Sequence, residues 1–128
     1  MKETRKGLSH FLAAFGYSVQ GLASAVRHES AFRLELLLGL VHYALVLLVP
    51  MSAVERLLLA VAWPLLLVTE LLNSAVENVV DLASPEWHEL AKRAKDTGSA
   101  AVFVAASVPV GLWLYVLLKA ARVLPPCA

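Results

Sequence analysis

The sequence lacks the features that mark secreted, nucleic-acid-binding and cleaved proteins. Its single cysteine, Cys127, allows no intramolecular disulfide, and because it is not fourth from the end we expect no prenylation box. The formal net charge is only +1, which argues against a nucleic-acid partner. Basic residues at the N-terminus are followed by an amphipathic stretch rather than a continuous apolar run, so no cleavable signal peptide is expected.

Common nucleotide and metal motifs are also missing. The chain contains neither the GxxxxGK[ST] phosphate loop nor the GxGxxG fingerprint, and it has no Ser–His–Asp signature. Its four histidines are too scattered to form a zinc site: His10, His28, His42 and His88. If this protein binds a nucleotide, the site must be an unusual one.

What the sequence has in excess is apolar residues, which make up 59% of its 128 positions. Soluble domains usually contain about 45–50%. The excess is concentrated in three blocks, residues 32–50, 56–82 and 98–119, and each is long enough for the roughly 20 residues of one membrane crossing. We therefore expect a single integral-membrane domain, residues 1–128, with three transmembrane helices.

Residues 8–27 have the pattern of an amphipathic helix. Leu8, Phe11, Leu12 and Phe15 repeat at i, i+3, i+4 and i+7, and the opposite face is polar or small. Such a helix fits the membrane interface, and the alternative is a core-facing helix of a soluble bundle. A charged hinge at residues 27–35 is expected to follow. The predicted fold class is all-α, with one interfacial helix and three spans.

Basic residues predict the orientation in the membrane. One side would hold eight of them (Lys2, Arg5, Lys6, Arg27, Arg33, Lys92, Arg93 and Lys95), and the other side three (Arg56, Lys119 and Arg122). The excess of Lys and Arg marks the cytoplasmic side, so we expect a cytoplasmic N-terminus. Three helices enclose little volume, and we expect a homo-oligomer that hides polar groups from lipid.

A polar stripe interrupts the second apolar block. Glu70, Asn73, Glu77 and Asp81 are spaced by three or four residues, so they share one helical face. Each charge at mid-membrane costs about 2.5–3.5 kcal/mol. The stripe is either a solvated face at the interface, which suits Asp81 best, or a site that binds a hard cation or acts as a base. Mg²⁺ prefers such carboxylates together with phosphate oxygens.

Two further polar clusters flank the spans. The stretch 84–99 is expected to be a loop or the start of a short helix, with Ser84 as N-cap. Lys95 and Asp96 lie at the entrance to the third span, where the cations of this stretch suit a phosphate site, and Gly98 is interpreted as a loop glycine that lets a backbone approach. The alternative is an ordinary positive-inside signal. Glu29 and Glu35 bracket the start of the first span, where interfacial solvation is the alternative.

Four sequence segments resemble the small integral-membrane diacylglycerol kinases of bacteria. They are ELLNSAVENVVD (70–81), HELAKRAKDTGSAAV (88–102), GYS (16–18) and the E-SAFR-E arrangement of 29–35. The resemblance extends over roughly residues 7–118. It implies a homotrimer in the bacterial inner membrane that transfers the γ-phosphate of ATP to diacylglycerol with Mg²⁺.

The resemblance also implies roles for individual residues. Glu70 would be the catalytic base for the lipid hydroxyl, and Glu29 and Glu77 would bind Mg²⁺. Nucleotide binding is implied for Tyr17, Glu29, Asn73, Glu77, Lys95 and Asp96. Contact with the lipid substrate is implied for His10, Ser18, Glu35, Glu70 and Ser99.

Three positions depart from the family pattern. His10 and Ala13 stand where well-known members carry Arg and Lys, and Leu34 replaces a polar residue. These departures concern substrate selection and nucleotide affinity. Undecaprenol kinase is thus the alternative within enzymes. A proton-coupled transporter and a non-enzymatic membrane adaptor are alternatives from other classes.

Overall fold

The protein is all-helical over the part that can be described. A computed structural model describes residues 7–122, which form α1 (Leu8–His28), α2 (Ser30–Leu48), α3 (Ala53–Ala83) and α4 (Glu89–Ala120). Within that range there is no strand. Helices α2, α3 and α4 are each long and apolar enough to cross a membrane, which confirms the predicted fold class. The predictions that concern Lys2, Arg5, Lys6 and Cys127 lie outside the described residues.

Helix α3 is the centre of the bundle. It packs along α4 and against α2, while α1 packs against α2. A small core forms where Val46, Leu59 and Val116 meet, one residue from each long helix, and Leu59 is fully buried. Most other large apolar side chains of the long helices are exposed, which is expected of helices whose solvent is lipid.

The connections are shorter than the sequence suggested. The expected hinge at 27–35 reduces to one non-helical residue, Glu29. Arg33 makes this break possible, because its guanidinium donates to the carbonyl oxygens of Val26 and Arg27, both at 3.2 Å. Those carbonyls have no helical partner at the C-terminus of α1.

Both ends of the α3–α4 connection also differ from expectation. Ser84 is the C-cap of α3, and the N-cap of α4 is His88, whose Nδ1 accepts from the backbone of Leu90 at 3.1 Å. The loop is therefore residues 84–88, and Gly98 lies inside α4. The prediction of Ser84 as N-cap was wrong because its hydroxyl donates within the loop, to the carbonyl of Glu86 at 3.0 Å, and α4 begins only after His88. The limits of the membrane-embedded segments stay predictions.

A proline in α3 is compensated by a side chain of α2. Pro64 has no N–H, so the carbonyl of Ala60 lacks its usual helical donor. The hydroxyl of Tyr43 donates to that carbonyl at 2.9 Å. Because lipid offers no hydrogen bonds, such a carbonyl must find a partner within the protein.

The neighbouring His42 is buried and uses both ring nitrogens. Its Nδ1 accepts from Trp113 Nε1 at 3.1 Å, so the ring hydrogen is on Nε2, which donates to the carbonyl of Leu59 at 3.0 Å. The ring also stacks on Trp63, with centroids 4.6 Å apart. One histidine thus joins all three long helices.

Charged groups at the same end of the bundle are paired as well. Glu55 belongs to a capping box with Ser52, and its other carboxylate oxygen accepts from Lys119 Nζ at 2.8 Å. The guanidinium of Arg56 donates to the carbonyl of Val46. We call this region the paired end; it comprises His42, Tyr43, Glu55, Arg56 and Lys119.

Candidate active site

Carboxylates gather at the opposite end of the bundle, where α1 meets α2, α3 ends and α4 begins. Glu70 lies close enough to Glu29, Glu35 and Glu77 for their charges to interact. Glu70 is only 5% exposed, and the other three are half-buried. We call this region the carboxylate end; it comprises Glu29, Glu35, Glu70, Asn73 and Glu77.

The polar stripe of α3 changes its exposure along the helix. Glu70 and Ser74 are buried, Asn73 and Glu77 are half-buried, and Asp81 is exposed. The interpretation as a solvated face therefore applies to Asp81 and not to Glu70. Sequence reasoning gave Ser74 no role, although its place one turn after Glu70 was a usable signal.

Two side-chain atoms at the carboxylate end are buried without a partner. Asn73 Nδ2 donates to Glu77 Oε1 at 3.1 Å, but its Oδ1 has no hydrogen bond within the described chain. The same holds for Glu35 Oε2. Buried polar atoms are rarely left unpaired in folded proteins. Glu35 is in a cleft wall, where its oxygen is available to a ligand's donor, whereas Asn73 Oδ1 lies against Gly98.

Lys95 and Asp96, two of the residues predicted to bind the nucleotide, do not pair with each other but with two different residues. Lys95 Nζ contacts Asp81 at 2.5 Å, and Lys92 Nζ contacts Asp96 at 2.5 Å. These side chains are between 39% and 65% exposed. Ion pairs at such exposure contribute little, about 0–1 kcal/mol, so a phosphate can replace the carboxylate at little cost.

A polar cleft opens beside these ion pairs. It has a volume of about 440 Å³, and its walls include Asp81, Trp87, His88, Lys95 and Asp96. Trp87 is 81% exposed, which is unusual for a large aromatic side chain in a loop. Sequence reasoning missed Trp87 and His88, although an aromatic residue beside a cluster of cations was visible.

An apolar cleft of about 640 Å³ lies between α2, α3 and α4. Glu35 is the only charged residue among those that line it, and Leu34 and Leu66 are among its apolar walls. The departure at Leu34 therefore makes this cleft more apolar. At one side the cleft reaches Glu35 and Leu66, which lies one turn before Glu70 on α3. At the other side it reaches Trp63 and Trp113, which contact His42.

The remaining predicted residues are spread over α1 and α4. Ser18 lines a separate cleft of about 540 Å³ between α1 and α3, together with Glu29 and Ser74. The side chains of His10, Tyr17 and Ser99 are exposed and make no hydrogen bond or ion pair with the described residues. One folded chain thus brings the acidic residues together but leaves these three apart from them.

The donor set fits a magnesium ion that arrives with phosphate. Within residues 7–122 no group of three or more His, Cys, Asp or Glu side chains is arranged to hold a metal ion alone. Mg²⁺ commonly takes one or two carboxylates and completes its shell with phosphate oxygens and water. Glu29 and Glu77 would supply the two carboxylates, since both are half-buried around Glu70.

Comparison with known proteins identifies the family. Residues 16–117 match the sequence model of a family described as prokaryotic diacylglycerol kinase. The chain belongs to the prokaryotic diacylglycerol kinase family. The match includes all of α2 and α3, so it covers the carboxylate end. Family membership confirms the resemblance and the kinase class, and it argues against the transporter and the adaptor.

Several curated relatives are similar over nearly their whole length. The diacylglycerol kinase of Pseudomonas aeruginosa is 46% identical over 112 residues, which is 88% of this chain and 91% of the relative. That of Haemophilus influenzae is 43% identical over 107 residues, 84% and 91% of the two chains. That of Escherichia coli K12 is 40% identical over 117 residues, 91% and 96%.

Proposed function

We propose that this member of the family transfers the γ-phosphate of ATP to the hydroxyl of diacylglycerol and so forms phosphatidic acid, with Mg²⁺. The observation that supports this most is an apolar cleft whose wall contains Glu35 and Leu66, the latter one helix turn from the buried Glu70. An apolar substrate with one reactive hydroxyl requires such a combination.

The lipid would enter with its acyl chains in the apolar cleft. Glu35 lies at the cleft wall, and its unpaired Oε2 would accept the hydrogen bond of the lipid's single hydroxyl as the lipid enters, before that hydroxyl reaches Glu70. Glu70, one turn beyond Leu66, would take the hydroxyl proton as that oxygen bonds to the γ-phosphorus. The bond between the γ-phosphorus and the bridging oxygen breaks, and ADP leaves. General bases of this kind contribute about 10²–10⁴-fold to the rate.

The nucleotide would lie beside the ends of α3 and α4. Lys95 and Asp96 line the polar cleft, where the cation would neutralise phosphate charge and Trp87 would offer a stacking surface. Bound Mg²⁺, held by Glu29 and Glu77, would supply further neutralisation of the phosphates. Seven residues, about 10 Å of helix rise, separate Glu70 from Glu77, so α3 serves both substrates.

The assembly is proposed to be a homotrimer in the bacterial inner membrane, with the N-terminus and the carboxylate end facing the cytoplasm, where ATP is present. The exposure of His10, Tyr17 and Ser99 supports this, because neighbouring chains would place them beside ligands. The exposed apolar side chains on all four helices support burial against lipid and neighbouring copies.

The test is phosphate transfer from radiolabelled ATP with Mg²⁺ in mixed micelles, with diacylglycerol and undecaprenol offered separately. The expected result is labelled phosphatidic acid with wild type and none with Glu70→Gln. Label on undecaprenol alone would leave the proposed mechanism in place but identify undecaprenol as the substrate instead of diacylglycerol. No label on either lipid, with the protein folded, would overturn the proposal.

A further inference from the structure

Gly98 lies where α4 crosses the polar stripe of α3. A Cβ atom built on Gly98 would overlap Oδ1 of Asn73 and lie 3.4 Å from its Cγ and 3.9 Å from its Cα. The carboxamide of Asn73 therefore fills the space that a side chain at position 98 would need. This contact differs from the sequence interpretation, which made Gly98 a loop glycine facing a phosphate.

The same carboxamide orients a carboxylate. Asn73 Nδ2 donates to Glu77 Oε1 at 3.1 Å, and both residues are half-buried. If Oδ1 had to move off Gly98, the carboxamide would rotate or shift and Nδ2 would move with it. The hydrogen bond that fixes the Glu77 carboxylate would then lengthen or break.

We propose that Gly98 is a positioning residue. Because it has no side chain, the Asn73 carboxamide can keep the orientation that presents Glu77 to the nucleotide. This inference rests on the proposed function, in which Glu77 acts at the phosphates. Glycine inside a helix is about 1 kcal/mol less favourable than alanine, so α4 is weakened by this residue. The absence of a Cβ at position 98 leaves room for the Asn73 carboxamide.

Gly111 provides a matched control in the same helix. It also lies inside α4, but nothing is within 4 Å of the position its Cβ would take. The replacement Gly111→Ala therefore changes helix propensity as Gly98→Ala does, without displacing a neighbour. Any difference between the two variants reports the contact with Asn73.

The kinetic test compares Gly98→Ala and Gly111→Ala in the full chain in mixed micelles. We expect Gly98→Ala to lower kcat about tenfold or more, because displacements near 1 Å have effects of that size, and to leave the KM for lipid within about twofold. Gly111→Ala should stay within about twofold of wild type. In an Asn73→Ala background, Gly98→Ala should add less than about a twofold loss, because it acts through Asn73.

A structural readout without turnover completes the test. The chain has two asparagines, Asn73 and Asn78, so selective ¹⁵N-asparagine labelling gives two side-chain amide signals, assigned with Asn73→Ala. We expect Gly98→Ala to shift the Asn73 signal and Gly111→Ala to leave it in place. The inference would be overturned if the two glycine variants had equal effects on kcat and on the Asn73 signal. It would also be overturned if Gly98→Ala lowered kcat as much in the Asn73→Ala background as in wild type. If wild type phosphorylates neither lipid, the proposed function fails, while the amide signals still decide the contact.

Discussion

The two ends of the bundle treat polar groups in opposite ways. At the paired end, both ring nitrogens of His42 are bonded, Tyr43 bonds a carbonyl freed by Pro64, and Glu55 is paired with Lys119. At the carboxylate end, acidic groups surround Glu70, and oxygens of Glu35 and Asn73 are buried without partners in the described chain. Helices α2 and α3 supply residues to both ends, whereas Lys119 of α4 belongs to the paired end and the non-helical Glu29 to the carboxylate end.

Under the proposed function, the difference separates polar groups that stabilise the bundle from polar groups that would bind substrates. Hydrogen bonds that are complete within the chain contribute to stability and have no capacity left for a ligand. Like charges and unpaired oxygens reduce stability, and they are found where a ligand later provides the missing partners. The contrast therefore predicts that mutations at the two ends have different consequences.

Trp63 marks the boundary between the two ends. Its ring stacks on His42, yet its Nε1 is buried without a partner among residues 7–122. A Cβ on Gly39 would lie only 2.6 Å from that nitrogen, so the indole packs tightly on α2. Trp63 also lines the apolar cleft, so the same residue contacts the paired end and the proposed lipid site.

The largest effect is expected from Glu70→Gln. Loss of the base should lower kcat at least about 100-fold. Stability in micelles should stay the same or rise, because one of several neighbouring negative charges is removed. Transfer of labelled phosphate and denaturant unfolding of the same preparation measure the two properties. A variant that retains more than about a tenth of the wild-type kcat would contradict the role of Glu70.

The second effect concerns the paired end. His42→Leu leaves Trp113 Nε1 without its acceptor, which should destabilise the protein by about 1–3 kcal/mol. The kcat of the folded fraction should stay within about twofold of wild type. His28→Leu is the stability control, since His28 is exposed and bonds only within its own helix turn. Equal unfolding midpoints for His42→Leu and wild type would show that the network does not stabilise the bundle.

A third, smaller effect tests the proposed lipid contact. Glu35→Gln should raise the KM for diacylglycerol about three- to tenfold, because the hydroxyl of the entering lipid would bond a neutral amide oxygen instead of a carboxylate. The KM for ATP should remain within about twofold. Steady-state kinetics with each substrate varied in turn separates the two constants. An unchanged lipid KM with a raised ATP KM would place Glu35 at the nucleotide instead.

The smallest effect isolates one hydrogen bond. Tyr43→Phe should destabilise the protein by about 0.6 kcal/mol, the average for hydrogen bonds between membrane helices. In a Pro64→Ala background the cost should nearly vanish, because an alanine at position 64 would have an N–H for the carbonyl of Ala60. Unfolding measurements on wild type, Tyr43→Phe, Pro64→Ala and the double variant give the coupling free energy between the two residues. Equal costs in both backgrounds would show that Tyr43 does not compensate for Pro64.

The helices were predictable because long apolar runs indicate membrane spans and the apolar residues of α1 repeat at helical spacing. The ends of the helices were less predictable. Ser84 is a favourable N-cap by residue type, whereas the actual cap, His88, is not, and the choice depends on how α3 and α4 meet. Spacing also placed Glu70 and Glu77 on one face of α3. It did not reveal that Lys95 contacts Asp81 or that Asn73 lies against Gly98, because those contacts depend on the packing of two helices.

The most direct test of the contrast measures activity and unfolding together for Glu70→Gln, His42→Leu and the double variant. We predict that Glu70→Gln loses activity at full stability, that His42→Leu loses stability at nearly full kcat, and that the double variant shows the sum of both losses. Two single variants that each lose both activity and stability would contradict the separation of the two ends.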